Sequence, residues 1–190
     1  MIRLKLIDGG PDKAPCGTLA VGLFQGERSP KGEAGWVDWR LGGALSRAIL
    51  AGRVDGATGT TVLMPAKKLP CQRILVVGLG PQAEFKGKNL AVALDSVLEK
   101  IDGLQDTDLA IALPGTKPWP PPRNAAEVLG EKLLHGLAAA GRSATISILG
   151  PPDLLAEIRE WVRTQGDPVA SHVSLEEDSS AARSEARDGA

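Results

Sequence analysis

The chain of 190 residues has no tyrosine, two phenylalanines and four tryptophans, so aromatics make up 3% of it. Its core must be assembled from Leu, Val, Ile and Ala, and the 43% apolar content is enough for that. Histidine is nearly absent: His135 and His172 are the two copies. A serine or cysteine nucleophile needs a partner base. His135 falls among leucines in a helical stretch and His172 near the end of the sequence, so neither serves as one. Cysteine is limited to Cys16 and Cys71, with no CxxC pair. That excludes a zinc knuckle and a redox motif of that spacing, and two reduced, partly buried thiols are expected. Lys13 and Arg73 are the nearby cations, weak grounds for thiol activation.

A charge excess is missing too. The net charge is −1, which steers the chain toward neither nucleic acid nor an anionic membrane. No apolar run approaches the ~20 residues of a membrane span. The opening residues Met1-Ile2-Arg3-Leu4-Lys5-Leu6 alternate instead of forming an apolar leader. These features describe a cytoplasmic, soluble chain. Clustered metal ligands are lacking as well. Glu176-Glu177-Asp178 reads as a solvated charge run, so no metal site, cofactor or catalytic residue is assigned.

What the sequence does contain is alternation. Residues 2–7, 18–24, 60–64, 73–77, 108–113 and 145–149 read as strands. Residues 25–34 read as a loop, and one helix is expected from Trp36 to a stop at Gly52. Further helices are expected over 89–101, from an Asn124/Glu127 capping box to about Gly141, and around 154–162. The order β, β, α, β, β, α, β, α, β, α predicts an α/β fold: a mixed, mainly parallel sheet with helices on both faces. Residues 114–122 hold five prolines and read as a stiff loop. Residues 167–190 carry six acids and two bases, a net −4 that leaves +3 for residues 1–166. The expected division is a folded domain over 1–166 and an acidic tail over 167–190 that is disordered at least in part.

Two features suggest contacts. Gly78-Leu79-Gly80-Pro81 follows a strand like the start of a dinucleotide fingerprint, with Ala83 as its third small residue. Pro81 stops a helix from starting at once, so a strand-ending turn is the stronger reading, with a ligand crevice beside it as the alternative. Trp36 and Trp39, three apart, and Trp119 among prolines are candidate interaction residues.

Residues 41–46 (LGGALS), 54–59 (VDGATG), 62–65 (VLMP) and 73–80 (RILVVGLG) together resemble the amino-terminal domain of the leucyl aminopeptidases, peptidase family M17. Val54 stands where that family usually has Phe. The resemblance implies a macro-domain-like fold. It also implies that the di-metal site and catalytic Lys and Arg belong to a carboxy-terminal domain with an N-T-D-A-E-G-R-type motif, absent from this sequence. In family enzymes the amino-terminal domain helps arrange the assembly and in some members contacts DNA or other partners. The resemblance therefore implies a non-catalytic module for self-association or protein binding, with small-ligand binding as the alternative. A body of +3 without a basic helix stripe argues against nucleic acid. The Asn-Ala-Asn and GGGV-like stretches by which macro domains bind ADP-ribose are also absent.

Overall fold

In a computed structural model, residues 1–112, 124–139, 141–164 and 173–177 are described. The strands are β1 (Ile2–Ile7), β2 (Cys16–Leu23), β3 (Thr61–Pro65), β4 (Cys71–Gly78), β5 (Asp108–Ala112), β6 (Ala144–Leu149) and β7 (Val173–Glu177). They form one sheet in the order β3-β4-β2-β5-β6-β1-β7. Every pairing is parallel except β3 with β4.

The helices are α1 (Gly32–Arg40), α2 (Ala44–Leu50), α3 (Gly87–Gly103), α4 (Ala125–Leu129), α5 (Gly136–Ala139) and α6 (Pro152–Thr164). They cover both faces. Ala34 and Val37 of α1 and Leu45 of α2 pack with Leu19, Val21, Leu23, Ile74 and Val76 on one side. Leu90, Leu94 and Val97 of α3, Leu129 of α4 and Ile158 of α6 pack with Ala20, Leu75, Val77 and Ile111 on the other. The α/β architecture is the expected one, with three layers and a mixed, mainly parallel sheet.

Three expectations need correction. The helix over 36–52 is two helices, and the first begins at Gly32 inside the expected loop. Gly42 and Gly43 turn the chain with φ of 64° and 79°. The buried Asp38 of α1 then caps α2: its Oδ1 accepts from the Leu45 and Ser46 amides at 2.8 and 3.0 Å, and its Oδ2 from Ser46 Oγ at 2.5 Å. Leu41 fits the helical stripe, which conceals the break. The second correction is at Asn124, which stands at the N-cap of α4 but makes no side-chain cap bond. Its side chain lies instead where a Cβ on Gly87 would be, 2.6 Å from Nδ2. Third, β7 lies inside the segment assigned to a tail. It pairs with β1 from Ile2↔Val173 to Leu6↔Glu177. Val173 and Leu175 pack on the core, which offsets the ordering of five residues. Residues 165–172 and 178–190 lie outside the described residues.

Between α4 and α5 the chain widens into a π-helical segment, Gly130–His135. Gly130 meets the indole of Trp161 on α6, where a Cβ would stand 2.6 Å from Cδ2. Gly130→Ala therefore forces the π-helical segment and α6 apart. The expected loss is about 2 kcal/mol, read as a fall of roughly 4–8 °C in thermal unfolding.

Candidate functional site

The connection from β2 crosses one face of the sheet by α1 and α2, and that from β5 to β6 crosses the other. A crevice opens at the carboxyl ends of neighbouring strands whose connections part in this way. Here the pair is β2 and β5, with β4 on the far side of β2. The segment after β5, including Trp119, lies outside the described residues.

Gly78-Leu79-Gly80-Pro81 continues β4 at this end. Its amides all point into the protein. Gly78 N–H donates to Thr60 O at 2.8 Å, Leu79 N–H to Leu23 O at 2.9 Å and Gly80 N–H to Gly56 O at 2.9 Å. In return Gly78 O accepts from Gly59 N–H and Gly80 O from Gln25 N–H, each at 2.9 Å. The end of β2, the end of β4 and the turn over 55–60 are thus tied together through their main chains. Side chains have no room there: a Cβ on Gly78 would overlap the Ala57 carbonyl oxygen, and one on Gly80 would overlap Thr58 Oγ1. Gly80 is also left-handed, at φ 77°. Leu79 is fully buried and Pro81 exposed. A 3₁₀ turn, Gln82–Glu84, separates Pro81 from α3. A phosphate cradle needs free amides at a helix start, and these three amides are already bonded.

Phe24 and Phe85 meet edge to face, 5.1 Å between centroids, and fasten the loop after β4 onto the end of β2. Glu27, in the loop after β2, was not singled out from sequence, where it is one acid in a polar stretch. Burial pushes its carboxyl above the usual range, against the Phe24 backbone and Lys31, which lower it. Its Oε1 is buried without a hydrogen-bond partner.

The tryptophans divide. Trp36 is half-buried against the α1–α2 core, whereas Trp39 is 71% exposed. The Arg40 guanidinium lies over both rings, 5.4 and 5.9 Å from their centroids.

A second polar cluster occupies the amino-terminal ends of β2, β4 and β5. Asp106 accepts from Thr18 Oγ1 at 2.6 Å and from the Asp108 amide at 3.1 Å, and lies 3.7 Å from Arg73. Burial, with the charge of Asp106, raises the Asp108 carboxyl. Among the described residues no group of three or more His, Cys, Asp or Glu could hold a metal ion, and no helix is long and apolar enough to cross a membrane.

Residues 20–138 match the cytosol aminopeptidase family, N-terminal domain. The chain belongs to that family. A probable cytosol aminopeptidase of Gloeothece citriformis (strain PCC 7424) is 34% identical over 98 residues, covering 51% of this chain and 20% of that protein. The chain spans about a fifth of the length of the curated relatives it matches first. Among solved structures, a tomato leucine aminopeptidase mutant superposes with a TM-score of 0.57 at 19% identity, covering 84% of this chain and 35% of that one. A Trypanosoma brucei macrodomain in complex with ADP-ribose superposes with a TM-score of 0.67 at 16% identity, covering 84% and 68%. These likenesses establish a macrodomain-like fold for the aminopeptidase-family domain.

The knot at Gly78 makes a test of the fold. Gly78→Ala drives a methyl group into the Ala57 carbonyl and is expected to cost about 3 kcal/mol. Thermal unfolding should then fall by roughly 6–12 °C, while Pro81→Ala at the exposed neighbouring position stays within about 0.5 kcal/mol of the parent.

Proposed function

We propose that this chain is a non-catalytic interaction domain of the cytosol aminopeptidase family that associates with a second copy of itself through the free edge of β3. The observation that carries the reading is that edge. Among the described residues β3 pairs with β4 alone, so its other side presents unbonded N–H and C=O groups. Leu63 at its centre is 42% exposed, and the neighbouring helices add Leu50 at 73% and Val92 at 44%. Shallow depressions run along both sides of the strand. One lies against Ala44, Arg47 and Ala48 of α2, the other against Ser96, Glu99 and Lys100 of α3. Two copies of one edge strand pair antiparallel about a two-fold axis, each offering what the other accepts. The non-catalytic part rests on coverage, since the family match lies in the N-terminal domain.

The full chain is expected to elute as a defined dimer or larger assembly in size-exclusion chromatography with light scattering. Leu63→Lys places a charge on the edge and should yield a folded monomer, with native circular dichroism and a melting temperature that no longer depends on protein concentration. A native chain that stays monomeric at high concentration would remove the proposal.

Small-ligand binding is the second reading, supported by the likeness to the macrodomain solved with ADP-ribose. The bonded amides of Gly78, Leu79 and Gly80 weigh against it. ADP-ribose at millimolar concentration is therefore expected to leave the melting temperature where it is. A rise of several degrees would transfer the function to the crevice beside β2.

A further inference from the structure

The two cysteines are far apart in sequence and adjacent in the sheet. In the parallel register of β2 and β4, Cys16 stands opposite Cys71. We propose that Cys16 and Cys71 form a reactive dithiol that hydroperoxides oxidise to a disulfide bridging β2 and β4.

The geometry meets the requirements of such a bond. Neighbouring strands lie about 4.8 Å apart, inside the range of about 4.4–6.8 Å between Cα atoms that a disulfide spans. Both side chains pack against the same core, on the α1–α2 side of the sheet. The thiols are close enough for each to shift the other's proton affinity. The frame around them is held from both strands. The Cys16 amide donates to Pro70 O at 3.1 Å, and two residues further on Thr18 is tied to Asp106 at 2.6 Å. Closing the bridge therefore needs side-chain rotation without movement of the strands.

The two sulfurs differ in access. Cys16 is 8% exposed, whereas Cys71 is half-buried at the start of β4. Cys16, as a donor beside it, favours a thiolate on Cys71 and lowers its pKa against the opposing effect of burial. The neighbouring Cys71, burial and the charge of Asp108 hold the proton on Cys16. Cys71 is thus the attacking sulfur and Cys16 the resolving one.

Both steps balance. The Cys71 thiolate attacks one oxygen of hydrogen peroxide. An S–O bond forms, the O–O bond breaks, and the departing hydroxide takes a proton to become water. The Cys16 sulfur then attacks the Cys71 sulfenic acid. The S–S bond forms, the S–O bond breaks, and the leaving hydroxide carries away the Cys16 proton as a second water. Two thiols are oxidised by two electrons and one peroxide is reduced.

The test is to treat the full chain with one equivalent of hydrogen peroxide, quench with an alkylating agent and weigh the intact protein. The expected product is monomeric, lighter by two hydrogens, unalkylated, and returned to two free thiols by dithiothreitol. Peptide mapping should join the Cys16 and Cys71 peptides. The oxidised form should melt roughly 5–15 °C higher, because the bridge constrains a long loop of the unfolded chain. In Cys16→Ser, dimedone should capture a sulfenic acid on Cys71. In Cys71→Ser, oxidation of the remaining thiol should slow by about tenfold or more. Two alkylated thiols after peroxide would overturn the proposal. So would oxidation of Cys71 beyond the sulfenic acid with Cys16 left free, or disulfides formed only between molecules. The native-chain measurement decides the matter even if a serine variant fails to fold.

Discussion

A strand with helices on both faces must be apolar on both sides, and β2 carries that constraint for the whole domain. Leu19, Val21 and Leu23 face the α1–α2 layer, while Ala20 faces the layer of α3 and α4. Each large side chain fully buried there contributes roughly 1.5–3 kcal/mol. A polar group in the same place would have to find a partner. Thr18, wholly buried, does so in the Asp106 carboxylate. With β2 fixed inside the sheet, β4 and β5 take its two sides, and the connections that leave β2 and β5 lie on opposite faces.

The main-chain knot at the carboxyl end follows from the same crowding. Glycines at 56, 78 and 80 let three backbone segments approach more closely than any side chain would allow. A string such as Gly78-Leu79-Gly80 therefore has two physical uses that look alike on paper. One leaves amides free for an anion, and the other turns them inward. The hydrogen-bond partners distinguish them, and here all three amides are turned inward.

The strands were legible because a two-sided sheet writes them as short continuous apolar runs. Residues 73–77 and 108–112 stand out for that reason. The break between α1 and α2 was hidden, because Leu41 keeps the helical period and the capping carboxylate sits on the preceding helix. β7 was hidden by its company: Val173 and Leu175 are two apolar residues in an acidic stretch. The exposed edge at β3 and the rung joining Cys16 to Cys71 depend on strand order, which no local pattern encodes. The glycine motif and the tryptophans could be named from sequence, but their surroundings could not.

The position of β1 bears on how the domain is made. Ile2 pairs with Ala144 on one side and Val173 on the other. Among the described strands of the sheet, β1 comes first along the chain and is among the last to gain neighbours. Contacts so distant along the chain are slow to form, and an unpaired apolar strand is prone to aggregate while it waits. Arg3 and Lys5 interrupt its apolar residues, and Arg3 stays exposed in the finished sheet. These charges act as gatekeepers during that interval, so the first strand carries its own protection against aggregation until the last ones arrive.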